Sequence, residues 1–396
     1  MRETEPIPIT IEYRLTEEGA EILRLHGRAA EIRIPECIAG VPVASIAERA
    51  FAVQAELPET DAEERPALLS FSMEGAEPAE KEQPLKRLFL PDTVRHIGAY
   101  AFAGCSALEH LHLPEELSLL PEHALDGCAA LKRLSLPAGL EEIGSYAFYN
   151  CRTLAGLELP EGVRKIGAYA FYNCRNMEKI NIPLAAAELN TGLFLNCDRL
   201  REIVFGQCRH ISDLISVLNH ELWLTIDFPQ TDGDTERARL ILPDFQYEYI
   251  EDTPARQFHQ VNYGTGHIFR QCVGNSEIDF RRYDEIFYLT RREDAAATVL
   301  LLAVSRLEYP YKLGGQQREN YLDYIRGHLL WAAEYFMEKN EPEKIRLFAD
   351  WGLFTAENLP EVLAAAQKRR KTEIASLLMD YQHKHFGGKK KKTFEL

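Results

Sequence analysis

Eight cysteines and a histidine pair, His110 and His112, are the residues of this sequence best suited to chemistry. Cysteine thiolates bind zinc or exchange disulfides when two stand close together, as in C-x-x-C. The closest two cysteines here, Cys197 and Cys208, are eleven residues apart. Five of the eight fall at 105, 128, 151, 174 and 197, always 23 apart. A constant interval of that length is a structural period rather than a ligand spacing. The two histidines alternate along an expected strand and so share a face, where such a pair can hold a metal. No third ligand is evident beside them, although Glu158 falls on the column of His112. Asp232, Asp234 and Glu236 alternate like the opening of a calcium loop, but Arg237 replaces the turn glycine and Pro243 the closing acid. The chain has no P-loop, G-x-G-x-x-G, G-x-S-x-G or H-E-x-x-H, and His220-Glu221 lacks a second histidine in place. The expectation is a non-catalytic protein without metal or cofactor.

The elements that would carry these residues come from a chain of 396 residues, long enough for two or three domains. Its formal net charge of −16 sets it against nucleic acid and anionic membranes as global partners. The longest apolar stretch, near Ala295–Val304, is half of what a membrane span needs. Residues 1–10 show no apolar core or cleavage-like site, which predicts a cytoplasmic protein, or a surface one if a leader has been removed.

Prolines at 91, 114, 137, 160 and 183 repeat with the same interval as the cysteines. One unit, Leu131 to Cys151, reads LKRLSLPAGLEEIGSYAFYNC. Leu131, Leu134 and Leu136 follow L-x-x-L-x-L, which turns the last two inward from a short strand. Pro137 ends that strand, and Leu140 and Ile143 form the next inward pair. Gly144 offers a residue of positive φ. Tyr146, Ala147 and Phe148 carry the chain back across the core, and Cys151 closes the coil as a small buried side chain. The large apolar slot holds Phe102, Leu125, Phe148, Phe171 and Phe194, and the turn slot Gly104, Gly127, Asn150, Asn173 and Asn196.

The units LPDTVRHIGAYAFAGCSALEHLHLP, LPAGLEEIGSYAFYNCRTLAGLELP and LPEGVRKIGAYAFYNCRNMEKINIP resemble the BspA-like leucine-rich repeats found mainly in bacterial proteins. IPECIAGVPVASIAERAF, at Ile34–Phe51, resembles their opening unit. The resemblance covers about residues 10–206. It implies an α/β repeat fold, a leucine-rich-repeat solenoid with a parallel β ladder, and protein or surface binding. Secreted members of the family are proposed adhesins.

The segments divide as follows. Residues 1–51 form an N-terminal β cap and first degenerate repeat, with two or three strands over Ile9–Val43. Residues 52–84, rich in proline and acid, read as a mobile insertion, with Leu68, Leu69 and Phe71 as an apolar knot. Residues 85–206 are the repeats. Residues 207–290 form an irregular β-containing cap, with a helix at Ile211–Asn219 and strands at Leu222–Phe228, Ala238–Leu242, Phe245–Ile250 and His267–Val273. Residues 291–386 form an all-α helical domain, with helices near 292–308, 316–338, 341–350, 359–369 and 373–384. Asn358 and Thr372 suit N-caps, and Pro360 a first turn. Lys344–Tyr381 weakly resembles ankyrin helix pairs but lacks their usual TPLH opening, and a helical bundle is the alternative. Residues 387–396 are a disordered basic tail with Lys389–Lys392.

Inward slots build the fold, which leaves function to the outward slots flanking them on the ladder. The first outward column is Arg87, His110, Arg133, Gly156, Lys179 and Glu202. The second is Phe89, His112, Ser135, Glu158, Asn181 and Val204. Arg87, His110, Arg133 and Lys179 make the first column basic: they are solvated strand residues, a face suited to an acidic peptide, or a face masked by the acidic insertion. Tyr100, Tyr146 and Tyr169 recur at another slot, as core-edge packing or as an aromatic face. The sequence therefore predicts an adaptor binding protein partners through its outward columns, with a cell-surface or secreted adhesin as the alternative.

Overall fold

A computed structural model describes residues 9–27, 29–53, 67–71, 84–206, 211–229, 235–252, 257–275 and 277–386. The calcium-like residues Asp232 and Asp234, the tail at 387–396 and most of the insertion lie outside the described residues. The chain divides into two compact units, Met1–Asp279 and Phe280–Leu396.

The first unit begins with the alternating stretches expected to form strands. β1 (Ile9–Leu15) and β2 (Ala20–His26) pair antiparallel, and each buries every second residue at its start. β3 (Glu31–Arg33), β4 (Cys37–Ile38) and β5 (Val41–Ile46) follow, with β5 parallel to β2. The insertion contributes β6 (Ala67–Phe71), which adds antiparallel to the free edge of β1. The expected apolar knot is thus part of a strand, although Leu68 stays exposed.

The repeats wind as stacked coils bearing two parallel rows of short strands. One row runs along the expected ladder: β7 (Arg87–Phe89) pairs with β3, and β9 (His110–His112) pairs with β7. The other row starts with β8 (His96–Ile97), parallel to β5. It continues in β10 (Leu119–Leu120), β11 (Glu142–Ile143), β13 (Lys165–Ile166) and β15 (Glu188–Leu189), with β12 (Gly156–Glu158) and β14 (Lys179–Ile182) intervening on the ladder. β16 (Glu202–Gly206) extends the ladder beside β14. After each proline the N–H three residues on donates to its carbonyl, as from Leu140 to Pro137 at 3.1 Å, which turns the chain into the second row. The core is repetitive. Phe102, Leu125, Phe148, Phe171 and Phe194 are fully buried, and Phe148 stacks on Phe171 at 5.3 Å.

Two expectations about the coil need correction. Gly144 does not supply the positive φ; Tyr146 does, at 55°, with Tyr100, His123 and Tyr169 alike at 56°, 52° and 56°. Gly144 is instead a point of close approach. A Cβ there would lie 2.5 Å from the Glu122 nitrogen and 2.6 Å from the Pro121 carbonyl carbon of the preceding coil. Leu134 and Leu136 are only half-buried, and residues 131–136 form no strand, so the ladder is interrupted at that coil.

Past the repeats, α1 (Ile211–Ile215) and β17 (Leu222–Pro229) complete a further coil, with β17 parallel to β16. β18 (Thr235–Leu242) then turns back antiparallel and ends the sheet. β19 (Gln246–Asp252) and β20 (Gln257–Tyr263) form a separate hairpin. The expected strand at His267–Val273 is mostly helix, α2 (Gly266–Arg270), because Gly266, Phe269 and Arg270 fall on one buried helical face. Arg270 donates to the carbonyls of Leu218 (2.8 Å), Pro243 (2.8 Å), Gly266 (3.0 Å) and His220 (2.7 Å), tying α2 to the segments after α1 and β18. Burial pulls its guanidinium down to about 10.

The second unit is all-α and begins earlier than expected, with α3 (Phe280–Glu285) and α4 (Phe287–Glu293). α5 (Ala296–Glu308) buries nine of its side chains and is central. The single helix expected over 316–338 is two, α6 (Gly315–Gly327) and α7 (Leu329–Lys339), parted at Gly327-His328 where His328 leaves helical geometry (φ −131°). α7 ends on Asn340 in the left-handed region. α8 (Pro342–Asp350), α9 (Leu359–Lys368) and α10 (Thr372–Phe386) follow, with Pro360 in the first turn of α9 as expected. Asn358 sits at the N-cap position of α9, but its side chain accepts from the Thr355 N–H (2.8 Å) instead of capping the helix. At the centre the fully buried Arg306 grips Asp284 with two bonds of 2.8 and 2.9 Å, and the Tyr321 hydroxyl donates to the same carboxylate. Burial opposes the Arg306 charge, yet the Asp284 carboxylate outweighs it and holds the group above its ordinary value.

Three outcomes follow from this packing. Gly144→Ala should destabilise the repeat unit by about 1–3 kcal/mol in denaturant melts, since overpacking must move backbone. Gly139→Ala, whose nearest neighbour would be 3.5 Å away, should be neutral or stabilising by about 0.4–1 kcal/mol. Asp284→Ala strands a buried cation and should cost about 3–5 kcal/mol, read from the loss of helical circular dichroism on melting.

Candidate functional site

Strand pairing sets the outward residues side by side. On the first column Arg87 faces His110, and Gly156, Lys179 and Glu202 stand in register. On the second Phe89 faces His112, and Glu158, Asn181 and Val204 follow one another. Arg133 and Ser135 are exposed but stand in the coil without ladder pairing, so they divide each column into two runs.

The first column is less basic than its repeat residues alone imply. Glu31 on β3 enters it ahead of Arg87 and binds the guanidinium at 2.8 Å. Lys179 pairs with Glu202 at 3.2 Å, and Arg239 reaches the same carboxylate at 3.6 Å. Its charge is therefore neutralised at both ends. Among the described residues, His110 and Arg133 form no ion pair. Beside them, Arg33 lies over the Phe89 ring at 3.8 Å, and His112 meets Asp92 at 3.5 Å. Glu31 and Arg33 escaped the sequence reading because their strand lies ahead of the insertion, which hides the period. Among the described residues no group of three or more His, Cys, Asp or Glu side chains is placed to hold a metal ion.

A second file of side chains runs along the turns. Tyr100, His123, Tyr146 and Tyr169 stack at 4.4, 4.6 and 5.1 Å, with Arg49 over the free face of Tyr100. Tyr149 and Tyr172 stack beside them at 5.0 Å and meet Tyr146 and Tyr169 edge-on. His123 was the missing member; it stands 23 residues from both Tyr100 and Tyr146. Its Nδ1 lies 2.9 Å from Asp126.

The five periodic cysteines are buried free thiols, each donating to a carbonyl of the preceding coil. Burial pushes Cys105 and Cys197 up to about 12, and Cys128, Cys151 and Cys174 well up also. Cys105 borders a cavity of about 520 Å³ lined also by Arg24, His26, Phe51 and Leu85, but its thiol is committed to the Phe51 carbonyl at 3.2 Å. A thiol in this state is a poor nucleophile and a poor metal ligand.

Iodoacetamide applied to the native chain should alkylate Cys37, which is exposed, and spare the five periodic thiols until denaturant is added; mass spectrometry reads the sites. Because the folded thiols hold their protons longer than unfolded ones, their contribution is full below about pH 9. Stability should then fall as pH rises from there toward about 12.

Residues 80–213 match the model of the BspA type leucine rich repeat region, in six copies. No curated protein matches the chain. Among solved structures, a leucine-rich repeat protein of T. pallidum is 29% identical over 49% of this chain and 78% of its own, with a TM-score of 0.40. One from Bacteroides ovatus is 26% identical over 50% of this chain and 48% of its own, with a TM-score of 0.38. A leucine rich cell surface protein from Faecalibacterium prausnitzii is 20% identical over 59% and 61% of the two chains, with a TM-score of 0.36. The stacked coils with their period of 23 residues, followed by helices, are thus those of a chain that carries a BspA-type leucine-rich repeat solenoid.

Proposed function

We propose that this chain is a non-catalytic scaffold that binds protein partners through the outward columns of its ladder. The observation that carries the reading is the register, which sets exposed residues of different coils side by side on one face. Such a face changes its chemistry by substitution at outward slots without touching the core. His110, Arg133, Ser135, Glu158 and Asn181 are its centre, while Arg87 and Lys179 serve more to pair with Glu31 and Glu202 than to meet a partner. The ankyrin resemblance of Lys344–Tyr381 adds a second packing surface, as an adaptor requires.

A second reading, a surface or secreted adhesin, is favoured by the repeat type. BspA-type leucine-rich repeat proteins are usually found at the cell surface or secreted, and the cytoplasmic placement expected from the sequence has no such support. No described helix is long and apolar enough to cross a membrane.

A photocrosslinking side chain placed at Ser135 or Asn181 tests the binding face, with Glu116 as an off-ladder control. Adducts should form from the ladder positions and fall at least about tenfold in a His110→Glu, Arg133→Glu variant, as for a hot spot. Adducts formed equally well from Glu116, or unaffected by the variant, would sink the ladder face. Capture from a soluble lysate favours the adaptor, and capture from intact cell surfaces the adhesin.

A further inference from the structure

We infer that the turns leading into the ladder over coils 146–199 form a second recognition surface, built to take an acidic peptide segment of a protein partner. It uses none of the outward ladder residues. Its members are Tyr149 and Tyr172 with Arg152, Arg175 and Arg199.

Arg175, Arg199 and Tyr172 are held through asparagines of neighbouring turns. Asn150 and Asn173 occupy the left-handed turn slot at φ 59° and 62°, and the Asn173 amide donates to the Asn150 side chain. Arg175 donates its Nε to Asn173 Oδ1 at 2.6 Å, and Arg199 donates to Asn176 Oδ1 at 2.5 Å. Asn196, in the next turn, donates to the Tyr172 hydroxyl at 3.1 Å. Asn173 is itself buried, which fixes the file.

The choice of partners carries the argument. Arg14, Arg87, Arg95 and Arg237 in the same unit all reach a carboxylate. Arg175 and Arg199 are oriented by neutral amide oxygens instead. An amide takes up one donor and leaves the charge uncompensated, and a guanidinium has five donors. Among the described residues none of the three arginines forms an ion pair, and all three are exposed in a chain of net charge −16. Asp126 bounds the patch at the Tyr149 end, engaged by His123. Asp198 takes the slot of Arg152 and Arg175 in the next coil, directly before Arg199, and among the described residues it forms no ion pair. Guanidinium groups in this state suit bidentate capture of carboxylates. The stacked pair Tyr149–Tyr172 beside them supplies rigid apolar area at low entropic cost. Tyrosine and arginine are also the residue types that dominate binding hot spots.

Fluorescence anisotropy of the full chain with labelled oligoglutamate, against oligoglutamine and a sulfated polysaccharide, tests this. Oligoglutamate should bind, weaken with salt, and lose about tenfold or more in affinity in an Arg152→Glu, Arg175→Glu variant. Tyr172→Ala should weaken it as well, and the His110→Glu, Arg133→Glu variant should bind as the wild type does. An Arg152→Gln, Arg175→Gln variant, which removes charge without reversing it, should fall between the two. Equal binding of oligoglutamine, no loss in the arginine variants, an equal loss in the ladder variant, or binding of the polysaccharide alone would each overturn the proposal.

Discussion

The repeat unit rests on how closely one coil can approach the next. A single coil is too small to enclose its own apolar side chains, so each must lean on both neighbours at backbone hydrogen-bond distance. The Phe102, Leu125 and Phe148 N–H groups donate to Ala124, Ala147 and Ala170 of the following coil at 2.8–2.9 Å. At that spacing no Cβ fits at Gly98, Gly144 or Gly167, which lie against the backbone of the preceding coil. The same approach holds Tyr100, His123, Tyr146 and Tyr169 in left-handed geometry, which a bulky residue adopts only at a cost. Ring stacking and the inter-coil bonds offset that cost.

This uniform interior frees the exterior. Thiols, phenylalanines and asparagines recur at fixed slots because each answers to the same slot one coil away. The outward slots answer to no such rule, and they differ from coil to coil: Arg87, His110 and Gly156 on one column, Phe89, His112 and Glu158 on the next. Neutralising charges flank the repeats, with Glu31 on β3 and Glu202 on β16.

What was legible in the sequence was whatever repeats. The cysteine and proline periods locate the coils, and the inward leucines and phenylalanines are buried as the pattern requires. The exceptions are long-range or compensated. Tyr146 carries no local preference for positive φ; only the adjoining coils impose it, while the adjacent Gly144 draws attention to itself for the wrong reason. Leu134 and Leu136 satisfy the pattern and still sit half out of the core. The Arg306–Asp284 pair joins two helices 22 residues apart, which periodicity does not register. On the candidate face, position along each column was legible, but the ion pairs that quench Arg87 and Lys179 depend on which coil stands next.

Because the ladder bonds run from coil to coil, they lie along the direction in which the coils are stacked. A pull applied across the repeats would load one interface at a time, and each coil could peel away while the rest hold. At residues 131–136 the ladder row is interrupted, and strand pairing across that coil is carried by β10, β11 and β13 of the other row. Beyond the last parallel rung, β18 pairs with β17 over eight residues in the opposite sense, a longer seam than any between the coils.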